Sequence, residues 1–283
     1  MNLPPEGNSF NLSDIPDIQG LLEPLSSVNP KVNEKKVRRL YVQAAQQQWF
    51  APRKLDFSGD IDMALEEKQS WIHLMTIFYT LEKMGLNVIA NMMPKATRKL
   101  KSEEVSYYLA AQCFDEARHV FSIENYLRKL GKAPKYEYKY HVLGQLGTMG
   151  FYRVENWLFS TLFSENFASV FLRKAKAARL DPLGVEMCKH LMVDESRHLH
   201  FLHIVLPDIM DRLSMLGRSY VKTSQFFIMK LTETWSASLD KHAGVVGIDR
   251  RDLIEEVFAN VERAYEGFGV TRDFLRFPKI SSV

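Results

Sequence analysis

The sequence predicts an all-α fold built around a four-helix bundle. Three observations carry that expectation. Glycine and proline are sparse, 14 and 11 in 283 residues, so the chain has few of the breakers that turn-rich sheets require. Long segments place apolar residues at intervals of three and four, the period of a helix with one buried face. Carboxylates are set into those apolar faces in a pattern that occurs twice, as two copies of one helical hairpin.

Taken in order, residues 1–30 carry Pro4, Pro5, Pro16, Pro24 and Pro30 among Asn and Ser and cannot sustain a helix, which predicts an extended arm. A single domain is expected over 31–283, since one core stops growing near ~250–300 residues, with the bundle itself at about 60–212. Helical patterns cover 32–49, 61–92, 102–130, 141–177, 183–212, 215–242 and 249–267. The breaks between them fall at Pro52 and Gly59, Pro94, Gly131 and Pro134, Asp181 and Pro182, Gly217, and Gly244 with Gly247. Residues 215–267 read as two amphipathic helices outside the bundle, with no legible chemistry.

Composition narrows the class further. The formal charge is only +3, and the basic stretches from Lys31 to Arg39 and from Arg173 to Arg179 are broken by apolar residues at helical spacing, so they read as solvated helix faces and not as nucleic-acid or membrane patches. Cys113 and Cys188 fall inside apolar patterns and are expected to be buried thiols in a reducing compartment. No segment approaches the ~18 uncharged residues of a membrane span, and MNLPPEGNSF lacks the basic-then-apolar order of a signal peptide. The expected location is the cytoplasm.

Four helical patterns carry the chemistry. Trp71, Leu74, Met75, Phe78, Gly85, Leu86 and Ile89 form one face with Glu82 at its middle. The second stripe runs Leu109, Gln112, Cys113, Val120, Ile123 and Leu127 and contains Glu116 and His119. The third surrounds Glu165 with Leu158, Thr161, Leu162, Ala168, Ser169 and Leu172, and the fourth surrounds Glu195 and His198 with Cys188, Leu191, Leu199 and Leu202. Glu66 and Glu67 compete with Glu82 but lie near a helix start, where surface glutamates are common. Glu155 competes with Glu165 but requires a longer hairpin than the break at Asp181-Pro182 allows.

Glu116 and His119 are three residues apart, as are Glu195 and His198, so each pair projects from one side of its helix and is expected to hold one metal ion. The longer strings Asp115-Glu-Ala-Arg-His119 and Asp194-Glu-Ser-Arg-His198 match at four of five positions. Packing the hairpins face to face brings four glutamates and two histidines to one level of the core. Four carboxylates in an apolar interior repel one another and lose hydration, and two divalent cations balance their charge. Mixed carboxylate and imidazole donors suit iron or manganese better than zinc. Asp115 and Asp194 are expected to accept the imidazole N–H groups, with Arg118 and Arg197 holding the aspartates. His200 and His203, rotated off the ligand face, are expected to be packing or surface residues.

On these residues the chain resembles the ferritin-like di-iron carboxylate superfamily, in the branch of ribonucleotide reductase small subunits, bacterial multicomponent monooxygenases, acyl carrier protein desaturases and aminobenzoate N-oxygenase. The resemblance covers roughly residues 60–205. It implies a ferritin-like bundle with additional N- and C-terminal helices, holding two iron ions or a manganese/iron pair. It also implies dioxygen as co-substrate, an electron donor such as a ferredoxin or reductase, a small organic substrate and a homodimer. Hydroxylation, desaturation and N-oxidation are all within its range.

Departures from the pattern sharpen the expectation. Where small reductase subunits place a radical tyrosine, four residues after the first motif histidine, this chain has Ile123, which disfavours a radical-storing subunit. Aminobenzoate N-oxygenase adds a seventh ligand, a histidine four residues before the last glutamate, where this chain has Leu191; His190 is one position off. Multicomponent monooxygenases carry a hydroxyl one turn after the third glutamate, which marks Ser169 as a candidate proton relay. One or two of Phe78, Tyr79, Phe163 and Phe167 are expected beside the metals in a substrate pocket. A ferritin-like storage or redox-sensing protein is the rival reading, distinguished by a solvent-open channel in place of a closed cavity.

Overall fold

The computed structural model describes residues 30–147 and 153–269, apart from the side chains of 143–147. Residues 1–29 of the expected arm, 148–152 of the helix expected at 141–177, and 270–283 lie outside the described residues. The described elements are α1 (Glu34–Gln46), α2 (Ala51–Lys54), α3 (Leu65–Leu100), α4 (Glu103–Lys129), α5 (Tyr138–Gly147), α6 (Val154–Ala178), α7 (Pro182–Arg212), α8 (Met215–Ser236), α9 (Asp240–Val245) and α10 (Arg250–Gly267), with a 3-10 turn Ala237–Leu239 before α9. No strand occurs among the described residues.

α3 with α4 and α6 with α7 are the two hairpins, and α4 against α7 joins them. Both turn through a non-glycine residue in the left-handed region, Lys101 (φ 53°) and Arg179 (φ 51°), a conformation that costs roughly 1–2 kcal/mol and is imposed by the packing on either side. α7 then starts on the side chain of Asp181, which accepts from the Gly184 N–H at 2.7 Å, with Pro182 in its first turn, an ordinary N-cap arrangement. α1 lies over the α4–α7 seam, α5 bridges α3 and α8, α8 and α10 pack on α6, and α9 packs on α3. No helix of the described residues is long and apolar enough to cross a membrane.

Two departures from the sequence expectation have a clear physical cause. α3 runs through Pro94, where a break was expected. The proline is exposed, as is Ala90, whose carbonyl loses its helical donor at Pro94 and can turn to water. Met92, Ala96 and Leu100 on the opposite face are buried against the bundle, and their packing offsets the ~3 kcal/mol an interior proline costs. The pattern at 215–242 is α8, the 3-10 turn and the start of α9, because Ala237–Leu239 tightens the chain after Ser236. Cys188 is buried as expected, and burial pushes its thiol up to about 12. Cys113 is only half-buried, at the edge of its stripe.

One buried network locks the hairpins together at the α6–α7 turn. The Trp71 indole N–H donates to the Tyr126 hydroxyl at 2.7 Å, and that hydroxyl donates to Asp181. A Cβ on Gly184 would stand 2.6 Å from the Tyr126 oxygen and 2.8 Å from Asp181 Oδ2. Tyr126→Phe is therefore expected to destabilise the fold by about 1–3 kcal/mol, the cost of leaving a buried donor and acceptor unpaired, and Gly184→Ala by a similar ~1–3 kcal/mol from overpacking. Denaturant titration followed by circular dichroism measures both; unchanged midpoints would remove this network from the account.

Candidate metal centre

The middles of α3, α4, α6 and α7 each deliver their carboxylate to one buried level. Glu82, Glu116, Glu165 and Glu195 are all buried, and His119 and His198 are fully enclosed. His119 Nδ1 faces Glu82 Oε2 at 3.0 Å, Glu195 Oε1 at 3.3 Å and Glu116 Oε2 at 3.9 Å. His198 Nδ1 faces Glu165 Oε2 at 3.3 Å, Glu195 Oε2 at 3.4 Å and Glu116 Oε1 at 3.5 Å. Two groups with converging donor atoms result: Glu82, His119 and Glu195, and Glu116, Glu165 and His198. Each group draws on both hairpins, and the members of each Glu-x-x-His pair also stay within reach of each other, Glu116 at 3.9 Å from His119 and Glu195 at 3.4 Å from His198.

Glu116 and Glu195 each present one oxygen to each histidine, whereas Glu82 and Glu165 each reach one. Glu116 and Glu195 would thus suit bridging positions and Glu82 and Glu165 terminal ones. Donors ~2.1 Å from one ion at a right angle lie about 3.0 Å apart, and wider angles separate them further, so gaps of 3.0–3.5 Å have the size that donors sharing an ion would have.

On the opposite edge of each imidazole stands an aspartate, again crossed between hairpins. His119 Nε2 lies 3.2 Å from Asp194 Oδ2 and His198 Nε2 lies 3.4 Å from Asp115 Oδ2. Arg118 binds both aspartates, Asp194 at 2.8 Å, and Arg197 likewise, Asp115 at 3.1 Å. Burial raises the carboxyl pKa of Asp194, but His119 and Arg118 outweigh it and hold the group well below its ordinary range. In Asp115, burial is likewise overcome by the His198 hydrogen bond and the Arg118 charge. Two ionised aspartates accept only, so each Nε2 carries a proton, and each Nδ1 faces the carboxylates, where it offers a lone pair once its own proton is lost.

That orientation tests the fit of a cation. Both oxygens of Glu195 are buried 3.3–3.4 Å from the imidazole nitrogens without a well-aligned hydrogen bond, and nitrogen and oxygen donor atoms converge across the cluster. Burial and then neighbouring carboxylates push Glu116 and Glu165 well above the ordinary glutamate range. His119 and His198 are pushed well above theirs, the surrounding acids prevailing over burial. Protons thus do the work of cations in the ligand-free cluster, and two divalent ions fit the same donors with a matching charge of four.

Several supporting groups were not expected from sequence. Gln47 and Gln48, just past α1, accept from Arg197 at 2.8 Å and from Arg118 respectively, and the Trp49 indole donates to Asp194 Oδ2 at 2.8 Å. Their only sequence signal is a polar run followed by one buried aromatic. Gln112, a polar residue on the α4 stripe one turn before Glu116, donates to Glu165 Oε1 at 3.0 Å. Among the competitors considered, Glu155 pairs with Lys99 at 2.8 Å, and Glu66 and Glu67 lie in the first turn of α3. His200 is exposed, and His203 meets Phe268 edge-on at 5.4 Å.

A cavity of about 160 Å3 adjoins the cluster, touching all four glutamates and neither histidine. Its remaining walls are largely apolar: Phe78, Leu81 and Ile89 of α3, Phe163, Phe167 and Ala168 of α6, and Ile228, Leu231 and Trp235 of α8. Tyr79 is not part of the lining, and neither is Ser169, which is half-buried on α6. The hydroxyls that reach the cavity are Ser160, Thr161, Ser164, Thr232 and Tyr140. α8, in which no chemistry was legible, is thus a wall of the site.

Proton release is the measurable consequence of this electrostatics. Groups raised in the folded state stabilise it at low pH and cease to do so as pH rises through their folded pKa values; Glu195 and the two aspartates, being lowered, finish titrating below the ordinary carboxylate range. Binding of Fe(II) to metal-free protein is expected to expel protons from Glu116, Glu165 and the histidines, so affinity rises with pH. Calorimetric titration in buffers of different ionisation enthalpy reads the number released; a value of zero at pH 6 would contradict the cluster described.

Comparison with known proteins follows the geometry. Residues 67–274 match the family described as p-aminobenzoate N-oxygenase AurF. The fold is similar to a Synechococcus protein with aldehyde deformylating oxidase activity (17% identity, TM-score 0.62, covering 78% of this chain and 98% of that one). It is also similar to a mutant R2-like ligand-binding oxidase with a Mn/Fe cofactor (19% identity, TM-score 0.67, 83% and 92% covered). A further R2-like ligand-binding oxidase with an Fe/Fe cofactor gives 18% identity and a TM-score of 0.60, with 83% and 93% covered. No curated protein matches the chain. With well over half of its length matched, the chain belongs to the p-aminobenzoate N-oxygenase AurF family and is an oxidoreductase of the di-iron type on a ferritin-like bundle.

Proposed function

We propose that the chain holds two iron ions, or one manganese and one iron, on Glu82, Glu116, His119, Glu165, Glu195 and His198, and that it uses dioxygen to oxidise a small, neutral, ring-sized organic molecule. The observation that carries this reading is the placement of the cavity. It opens on the carboxylate side of the cluster, where ligands can shift, and stays clear of the histidine side, where the Asp115–Arg118–Asp194–Arg197 lattice fixes each ring. When bound, such a metal pair supplies dioxygen activation and electron transfer. The protein supplies the rest: Glu116 and Glu195 span the two positions, Glu82 and Glu165 terminate them, and the apolar walls exclude water from the reacting face.

The size and lining define the substrate class. A volume of about 160 Å3 is comparable to an engineered apolar cavity of ~150 Å3 that accommodates benzene. No Lys or Arg stands among the described lining residues, so a carboxylate such as that of p-aminobenzoate would enter without a counter-charge, at a cost of several kcal/mol. Leu191, fully buried where the family's additional histidine would stand, also separates this site from the seven-ligand arrangement. A neutral arene or arylamine, hydroxylated or N-oxidised, suits the walls best; Thr161 and Ser164, beside Glu165, replace Ser169 as hydroxyls placed to move protons. Electrons would come from a ferredoxin or reductase, and the chain would act as a cytoplasmic homodimer. The storage reading is disfavoured by the apolar walls, and the radical-storing reading by Ile123, a buried hydrocarbon at the position of the radical tyrosine.

Two experiments test this reading. Anaerobic loading should give two metal ions per chain, with Glu195→Ala and His119→Ala each losing the pair, while Asp115→Asn and Asp194→Asn weaken affinity about 10–100-fold. Retention of both ions by Glu195→Ala would refute the ligand assignment. Ala168→Leu should keep the metals but lower kcat/KM for ring-sized neutral substrates at least ~10-fold, relative to dioxygen uptake by the unaltered enzyme. Iron taken up far beyond two equivalents, with no substrate-dependent oxygen consumption, would favour storage instead.

A further inference from the structure

Behind the cavity beside the metal cluster lies a second one, of about 40 Å3. Phe78 and Leu81 of α3, Phe167 of α6 and Trp235 of α8 line both, so the two are separated by a partition of side chains. The order of the lining residues along each helix shows how the cavities are arranged. α3 and α6 run antiparallel, with Lys99 paired to Glu155 at one end and Phe78 packed on Phe171 towards the other. On α3 the first cavity extends from Ile89 back to Phe78, and the second continues from Leu81 back to Leu74. On α6 the first ends at Ala168 and the second reaches Phe171. On α8 the first ends at Trp235, and the second goes on to Ser236 and to Leu239 of the 3-10 turn. Three helices thus agree that the second cavity prolongs the first along the bundle axis.

The far end is built by the chain beyond α8. Ala243 of α9, Ile248, and Leu253 and Ile254 of α10 close it. Ala243 is buried and fills little of the space that a longer apolar side chain would occupy. Because an apolar void lowers stability in proportion to its volume, packing alone does not account for so small a residue there. Arg250 is the one charged side chain among the described lining residues, and it is already paired: its Nε donates to Asp240 and its Nη1 to Ser236 Oγ at 3.3 Å. The partition itself is loosely held. Leu81, Phe167 and Trp235 are only half-buried, and Trp235, the last residue but one of α8, is in ring contact with Tyr140 and Phe167 at centroid distances of 5.8 and 6.2 Å.

We infer that the second cavity is a subsite for a short apolar substituent of the substrate, entered past Phe167 and Trp235. The inference rests on the reading of the first cavity as the place of the reacting ring, and it adds a part of the substrate which that reading leaves undefined. A ring in the first cavity with its reacting group towards the four glutamates presents another edge to Phe78 and Phe167, and a substituent on that edge points along the axis into the second. An engineered cavity of ~150 Å3 takes the six carbons of benzene, so one of about 40 Å3 takes roughly two carbons. The substrate class narrows to a neutral arene or arylamine bearing a short alkyl group. α9 and the start of α10, remote from the metal ligands, then act as determinants of specificity.

Titration calorimetry on the metal-loaded full chain without dioxygen reads the subsite independently of turnover, with aniline and 4-ethylaniline as probes. Each buried CH2 is worth roughly a fourfold gain in affinity, so 4-ethylaniline should bind about tenfold more tightly than aniline. Ala243→Leu should abolish that ratio and the smaller Ala243→Val should reduce it, with circular dichroism confirming the fold of each. Ala168→Leu, which narrows the first cavity, should weaken both amines and keep the ratio. Trp235→Leu, by merging the cavities, should carry the gain on to 4-butylaniline. Equal affinities for the two amines in the unaltered protein, or a ratio that survives both Ala243 variants, would overturn the subsite and leave the first cavity as described. Absence of any gain for 4-butylaniline in Trp235→Leu would overturn the partition as the way in. Failure of both amines to bind the unaltered protein would overturn the reading of the first cavity, and the subsite with it.

Discussion

Four carboxylates at one level of an apolar core form the constraint around which the molecule is organised. Water cannot reach them to screen their repulsion, and the low polarity of the surroundings magnifies it. Each helix of the bundle supplies one carboxylate, so no helix can slide or turn without changing the balance. The protein answers with two neutral layers. Glu82, Glu116, Glu165 and Glu195 carry four negative charges that two divalent ions match. Behind the histidines, Asp115 and Asp194 are matched by Arg118 and Arg197 in a closed square of ion pairs. The imidazoles connect the layers, each with Nε2 on the aspartate side and Nδ1 on the glutamate side.

This division also separates rigidity from adaptability. The histidine side is tied to α1 and the segment after it through Gln47, Gln48 and Trp49, and α1 spans the seam between the hairpins. The glutamate side faces the cavity, where apolar walls make few demands on carboxylate orientation. Chemistry that requires ligands to change between bridging and terminal modes has room there and nowhere else. α8 walls the cavity on the same side.

How much of this is legible in the sequence depends on the range of the interaction. Glu82, Glu116, Glu165 and Glu195 stand out because a charge inside a 3.6-residue apolar stripe has no local explanation, and the repeated Asp-Glu-x-Arg-His string gives the partners. The same string could not reveal the crossing, by which Asp194 serves His119 and Asp115 serves His198, since that follows from how two hairpins face each other. Gln48 and Trp49 escaped for a similar reason, as they act on residues far along the chain and follow no periodicity. Pro94 misled because propensity is local, while the packing of Met92, Ala96 and Leu100 that overrides it is not. Ser169 was placed by helical spacing from Glu165, yet it does not reach the cavity, whose lining on α6 includes the hydroxyls of Thr161 and Ser164 on the other side of Glu165.

The two halves of the bundle are not equivalent, and the difference bears on the two ions. One turn before Glu116, Gln112 donates to Glu165 Oε1 at 3.0 Å. The matching position before Glu195 is Leu191, which has nothing to donate to Glu82. A hydrogen bond to an ionised carboxylate stabilises its charge and fixes its direction, so the terminal ligand beside His198 is held while the one beside His119 is not. An ion held beside His119 would therefore have the more adaptable shell. Gly85, one turn after Glu82, adds to this freedom, since a Cβ there would stand 3.6 Å from Glu116 Oε2 and any longer side chain would crowd the bridging position. Duplicated hairpins thus present an unsymmetrical donor set, in which Glu82 lines the cavity beside Leu81 and Ile89 without the amide donor that holds Glu165.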